Sequence, residues 1–385
     1  MRLSLVSETY PPEVNGVALT VQGLELGLRR LGHDVELIRP RQPDDPAESP
    51  DGQCLLPSAP VPRYPGLRFG LPAGRRLAAL WHDARPDAIY IATEGPLGWS
   101  ALRTARRLAI PVCTGLHTRF DDYIGEYAFG YLRPLVFAWM RRFHNHAATT
   151  LVPTPALADF LHGRGFASVT VLERAVDTAL FDPARRDPEL RRQWQLGPDD
   201  LAVVHVGRIA AEKNLPLAVR TFRAIQAKRP DARFVWIGDG PERAALARAN
   251  PDFLMLGIKR GEDLARHFAS ADLFLFPSKS ETFGNVTLEA MASGLATVAF
   301  DYGAAHEHLR DGLHGATLAL DDDDGFVTRA CRIATAEPQT RAAMAAAARA
   351  AVSPLSPDRV VQRFADLLSD LASHGRSHQA NRCAA

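Results

Sequence analysis

Continuous apolar runs such as AVVHV (202–206) and LFLFP (273–277) alternate along the chain with stretches whose apolar positions return at helical spacing. A run that is apolar at every position marks a strand covered on both faces, as in parallel sheets flanked by helices. In the first half the pattern predicts strands over Arg2–Ser7, Asp34–Arg39, Ala88–Thr93, Pro111–His117, Thr149–Thr154 and Ser168–Leu172. Helices are predicted there over Val17–Leu31 and Leu97–Leu108. In the second half, strands are expected over Leu201–Val206, Arg233–Gly238, Phe253–Leu256, Leu273–Pro277 and Thr297–Asp301. Helices intervene at Leu215–Lys228, Pro241–Arg248, Glu262–Ala269 and Val286–Ser293. Alternating β and α elements imply right-handed βαβ units.

The pattern runs twice. It predicts an N-terminal doubly wound domain over 1–176, a polar linker with one short helix over 177–198, and a second doubly wound domain over 199–355. A closing amphipathic helix over 356–372 and a polar, frayed tail over 373–385 follow. Two such Rossmann-like α/β domains leave an inter-domain cleft at the carboxyl ends of their strands, the edge where open α/β sheets bind ligands.

Composition narrows the function classes. A formal net charge of +1 over 385 residues offers no field for nucleic acid. The four cysteines, Cys54, Cys113, Cys331 and Cys383, form no CxxC pair and no disulfide framework is expected. The start lacks the apolar stretch of a signal peptide, and no run reaches the ~20 residues that span a bilayer. A cytoplasmic protein is expected, with peripheral contact at the inner membrane surface left open. Lysine occurs only at 213, 228, 259 and 279, so each one merits inspection.

Four segments carry candidate chemistry. The first is SKSETFGNVTLEAMASG (278–294), which joins an apolar strand to a helix. Its N–H groups at Phe283, Gly284, Asn285 and Val286 lie at a helix start, where unpaired donors and the dipole favour an anion. Glu289 could bind a ribose diol and Glu281 sugar hydroxyls; read alone, the segment is also compatible with a plain βα loop. The second is HVGRIAAEKN (205–214), where Arg208 and Lys213 can converge on phosphate oxygens. An ordinary solvated charge pair is the alternative. The third is SETYPPEVNGV (7–17), whose Asn15 and Gly16 open a helix, or simply form a turn. The fourth is TGLHTRFDDY (114–123), where His117 ends a buried strand and could handle a proton or be satisfied by a neighbour.

Weaker features read as structural. GDGPER (238–243) matches only the first glycines of a dinucleotide motif. The acidic run Asp321–Asp324 suits a helix start, and His144/His146 and His306/His308 read as structural or surface residues. Leu132–Phe143 reads as a helix packed on its own domain, with an interfacial role as the alternative.

Taken in this order, the segments resemble the retaining glycosyltransferases of family 4, which have the GT-B fold. The likeness rests on E-x7-E at Glu281 and Glu289, on Gly207-Arg208 with Glu212-Lys213-Asn214, on Asn15–Val17 and on the segment from His117. ATEGPLGWSAL, RRFHNHA and VPTPALADF look most similar to bacterial GDP-mannose-dependent α-mannosyltransferases and glycolipid-forming enzymes. The resemblance implies transfer of a hexose, mannose in the first instance, from a GDP- or UDP-linked sugar to a lipid or saccharide acceptor. It implies no cofactor and no metal, the nucleotide sugar being a co-substrate. Arg208 and Lys213 would hold the diphosphate, Glu281 the donor sugar, and Glu289 the ribose. Gly16 would lie by the diphosphate and His117 near the reacting carbon. Tyr10, Asn15, Arg119, Asp121 and Tyr123 would stand on the acceptor side. Ala175 and Ala296 replace residues that are usually Gly and Pro in the family. A nucleotide-sugar 2-epimerase of the same fold and a non-catalytic nucleotide-sugar binder are the rivals. A dinucleotide oxidoreductase would need glycines that Ser7–Asn15 lacks.

Overall fold

The computed structural model describes residues 1–13, 16–60, 68–116, 133–279 and 283–383. The chain forms two compact units, Met1–Arg174 with Pro357–Ala385, and Ala175–Ser356.

In the first unit the strands are β1 (Arg2–Val6), β2 (Asp34–Pro40), β3 (Gln53–Leu56), β4 (Ser58–Pro60), β5 (Arg68–Gly70), β6 (Ala88–Ile91), β7 (Val112–Gly115), β8 (Thr149–Val152) and β9 (Val169–Val171). Seven of them form a parallel sheet in the order β3-β2-β1-β6-β7-β8-β9, and β4 and β5 pair as an antiparallel hairpin. Every residue of β6 and β7 is buried, as the apolar runs require. Helices Gly16–Arg30, Gly74–Asp83 and Pro96–Arg107 cover the sheet with apolar faces that include Val21, Leu24, Leu77, Trp81, Leu97 and Ala101.

The second unit contains β10 (Ala202–Val206), β11 (Arg233–Ile237), β12 (Leu254–Met255), β13 (Leu273–Phe276), β14 (Ala296–Phe300) and β15 (Gly315–Leu318). They form one parallel sheet in the order β12-β11-β10-β13-β14-β15. Phe222, Phe234, Trp236 and Phe253 make one aromatic cluster, with Phe222 and Phe234 stacked at 4.7 Å.

The boundaries differ from expectation in two places. Residues 177–198 were expected to be a linker, but they put Phe181, Leu190, Trp194 and Leu196 into the core of the second unit. Buried Arg191 holds them: its guanidinium donates to Asp272 at 3.0 Å and to the carbonyls of Ser270, Gly197 and Asp200. Arg186 joins the same carboxylate at 2.7 Å. The closing helix runs from Pro357 to Cys383, through the stretch expected to be frayed. It belongs to the first unit, where Val361, Phe364, Ala365 and Leu368 enter the core and Phe364 packs edge-on against Tyr90 at 5.0 Å.

Breaking a buried charge pair strands its partner, whereas an exposed pair contributes little. Arg191→Ala should therefore lower stability to urea by about 3 kcal/mol. Arg192→Ala, whose partner Glu189 is exposed, should change it by less than about 0.5 kcal/mol. Equal effects would show that residues 188–193 are not a fixed part of this unit.

Candidate functional site

In the second sheet β10 and β13 are neighbours, but their crossovers lead away from each other, to β11 and to β14. This is the switch point, where the loops after the two central strands diverge and leave a crevice at the carboxyl edge. The loop after β10 carries Arg208 and Lys213; the loop after β13 leads into helix Asn285–Ala292. The two segments of this half that carry candidate chemistry therefore share one edge.

The β10 loop is held by its neighbour. A Cβ at Gly238 would stand 1.9 Å from the Gly207 carbonyl oxygen, so the two loops meet backbone to backbone. The Ile209 N–H donates to the Asp239 carbonyl at 2.9 Å. The glycines of GDGPER thus serve loop packing. Asn214 takes a left-handed conformation (φ 53°), which ends the 3-10 turn Ala211–Lys213 and starts helix Leu215–Gln226. Arg208 is exposed and, among the described residues, pairs with Glu212 at 3.4 Å. An exposed pair of this kind is weak, so the guanidinium can turn to a ligand. Lys213 is half-buried.

The β13 loop presents a bare helix start. Gly284 is the N-cap at φ 88°, a conformation that disfavours a side chain, and among the described residues no side chain caps the helix. Phe283 is buried, and its carbonyl accepts from the Ala304 N–H at 2.6 Å. One turn in, the Glu289 carboxyl group makes no hydrogen bond or ion pair among the described residues, and loss of solvent pushes its pKa up to about 7. The Asn285 Oδ1 is likewise buried and unpaired. An anion site and an unsatisfied carboxyl group therefore sit on one helix.

Two further residues had no assigned role from sequence. His205 on β10 is fully buried beside Trp236; its Nδ1 lies 3.1 Å from the Leu275 carbonyl, and burial lowers its pKa to about 4. It is therefore neutral at pH 7. Lys279, at the end of β13, is already engaged by Asp323 at 3.0 Å and lies over the Phe300 ring.

In the first unit the corresponding switch point lies between β1 and β6. Tyr10, expected on the acceptor side, lies buried in the core, and its hydroxyl donates to buried Glu25 at 3.0 Å. Burial and the Glu25 charge raise its pKa to about 12. Gly16 begins helix Gly16–Arg30, and its carbonyl accepts from Thr20 and, at 3.4 Å, from buried Arg174. Near the β6 end, His144 is buried between Glu94 (Nε2 at 3.2 Å) and Thr114 (Nδ1 at 2.8 Å). The reading of His144 as structural or surface thus resolves to a buried relay. Asn15, His117, Arg119, Asp121, Tyr123 and Glu281 lie outside the described residues.

Comparison with known proteins fits this geometry. Residues 14–180 match Glycosyltransferase Family 4, and residues 200–336 match Glycosyl transferases group 1. A GDP-mannose-dependent alpha-mannosyltransferase of Mycolicibacterium smegmatis is 34% identical over 332 residues, covering 85% of this chain and 86% of the relative. An alpha-monoglucosyldiacylglycerol synthase of Acholeplasma laidlawii is 27% identical, covering 77% of this chain and 80% of the relative. Among solved structures, sucrose-phosphate synthase from Thermosynechococcus elongatus superposes with a TM-score of 0.74 at 17% identity, covering 97% of this chain and 99% of that one. That likeness speaks for the fold. The chain belongs to the family 4 glycosyltransferases, enzymes of the two-domain GT-B fold.

Proposed function

We propose that this glycosyltransferase moves a hexose, mannose from GDP-mannose in the first instance, onto a hydroxyl of a lipid or glycan, with retention at the anomeric carbon. The observation that carries the reading is the second unit's switch point. There an uncapped helix start, an unpaired Glu289, Arg208 and Lys213 are brought to one sheet edge. Arg208, Lys213 and the N–H groups of Phe283, Gly284, Asn285 and Val286 bind the diphosphate. They stabilise the charge that develops as the bond between sugar C1 and phosphate oxygen breaks. These groups supply the positive charge that a metal would otherwise provide. The acceptor oxygen bonds to C1 on the face the nucleoside diphosphate leaves, and its proton passes to the departing phosphate. Glu289 takes the ribose diol. The family resemblance supports Glu281 on the donor sugar, His117 near C1 and Gly16 by the diphosphate. It also supports Asn15, Arg119, Asp121 and Tyr123 on the acceptor side. Mannose and guanine rest on the names of the relatives, whose similarity spans most of the chain.

Membrane contact belongs to the same proposal. Helix Arg133–His144 buries Met140, Phe143 and His144, while Leu135 (68% exposed), Trp139 (41%), Arg141 and Arg142 face outward. An apolar and basic face of this kind suits an anionic lipid surface. Among the described residues no helix is long and apolar enough to cross a membrane. Replacing Leu135 and Trp139 by Ser should cut flotation with phosphatidylglycerol vesicles several-fold without changing nucleotide binding. Undiminished flotation would remove this helix from the proposal.

Anything that binds only the folded state raises its melting temperature. GDP should do so more strongly than UDP or ADP, and NAD should not. With EDTA present, GDP release from GDP-mannose should require a hydroxyl acceptor and give an α-linked product. Acceptor-independent formation of an isomerised sugar nucleotide would favour the epimerase. Nucleotide binding without turnover against any acceptor would favour the binder.

Glu289 gives a pH signature. Its folded pKa is raised from 4.5 to about 7, so its contribution to stability is full below 4.5 and is lost as pH rises through 7. Glu289→Gln should remove that loss, worth up to about 3 kcal/mol. A ribose diol donates to the ionised carboxylate, so nucleotide affinity should rise between pH 6 and 8 in the wild type, with proton release. Calorimetry should show neither effect in Glu289→Gln. A matching pH profile in the variant would place the ribose elsewhere.

A further inference from the structure

The first unit repeats the topology of the second but fills its switch point differently. The second-unit loop ends in an uncapped helix start. The equivalent position in the first unit is the start of helix Pro96–Arg107, after β6, and it is occupied by a side chain from the β1 loop. The Glu8 carboxylate accepts from the Leu97 N–H at 2.8 Å and from the N–H groups of Gly70 and Gly98. The Glu8 N–H donates to the Thr93 hydroxyl at 2.8 Å. Gly95 leaves the room: a Cβ there would stand 2.1 Å from the Glu8 Oε1. The donors that would hold a phosphate at this helix start are therefore already taken by an internal anion.

Glu94 is what remains at that edge. It follows β6 directly, lies between Thr93 and Gly95, and is 8% exposed. His144 engages one of its oxygens and is itself fixed by Thr114, whose hydroxyl also lies 3.4 Å from that of Thr150. The other Glu94 oxygen makes no hydrogen bond among the described residues. That oxygen keeps its contact with solvent at the sheet edge, so an incoming hydroxyl can reach it. An oriented carboxylate accepts hydrogen bonds from hydroxyls and repels phosphate oxygens.

We propose that Glu94, oriented by His144, binds the hydroxyl groups of an uncharged polyol, and that the helix start after β6 does not take a phosphate. Naming that polyol as the acceptor of sugar transfer rests on the proposed function; the binding itself does not. Glu94 is then an acceptor-binding residue, and His144 is a positioning residue that acts through it.

The full chain, labelled with 15N at histidine, allows a direct test with octyl β-D-glucoside as the neutral polyol and glucose 6-phosphate as the charged one. The glucoside should move the His144 ring resonances in a saturable way, and the phosphate should not. Glu94→Gln keeps an acceptor for His144 and should weaken glucoside binding at least tenfold. His144→Gln should weaken it less. The GDP-induced rise in melting temperature should be the same in all three proteins. Unmoved His144 resonances, an equal response to both sugars, or unchanged glucoside binding in Glu94→Gln would overturn the proposal. The nucleotide reading fails by a separate sign, namely no melting shift with any nucleotide while His144 still responds to the glucoside.

Discussion

Parallel pairing of the central strands is the constraint on which the rest depends. A parallel ladder pairs the backbone polar groups of β10 and β13 within the sheet, so their side chains can be buried on both faces. Polar chemistry is thereby driven to the strand ends. Because the crossovers diverge at β10 and β13, the loops there are not covered by the next βα unit. Arg208, Lys213, the Gly284 helix start and Glu289 gather there because this edge of the unit tolerates them.

The two units share that plan and differ in what they do with a helix N-terminus. In the second unit a left-handed Gly284 leaves the first turn bare. In the first unit Glu8 reaches across from the neighbouring loop and closes the equivalent turn. The dipole and the unpaired N–H groups are the same in both, so one side chain reverses the preference from anion binding to exclusion. The raised pKa values of Glu8 and Glu289 share a main cause, desolvation, but only Glu8 has backbone donors that pull the other way. A carboxyl group without such compensation is stable only as long as it is protonated or met by a ligand donor.

The strands were legible because an apolar run has one main explanation at such lengths. Short or exposed elements were not: β3, QCLL, follows a polar loop, and the β4–β5 hairpin has little apolar contrast. Helix Pro338–Val352 is rich in Ala and buries only Ala348 and Val352, so no apolar stripe marks it. Residues 177–198 looked like a linker because Arg and Asp read as solvated, yet Arg186 and buried Arg191 both dock on the one carboxylate of Asp272. Within the site, Glu289 was readable from its spacing to Glu281, and Gly284 from its place before the helix. The burial of Tyr10 was not legible, because a loop residue after a strand need not face the crevice; here the loop folds its ring into the core.

The Glu94–His144–Thr114 relay shows where sequence reading stops. Its members lie 50 and 30 residues apart, each in a different segment of the chain, and no spacing within one segment links them. His144 sits in an HxH pair whose second member, His146, packs against Trp99 instead. Equal spacing thus hides unequal environments: one ring is enclosed by Glu94 and Thr114, and the other rests beside an aromatic side chain. What separates them is the helix end at His144, which turns one histidine into the core and lets the chain leave before the next. Such a relay can be found only once β6, β7 and that helix are in register, because its specificity lies in tertiary geometry and not in residue order.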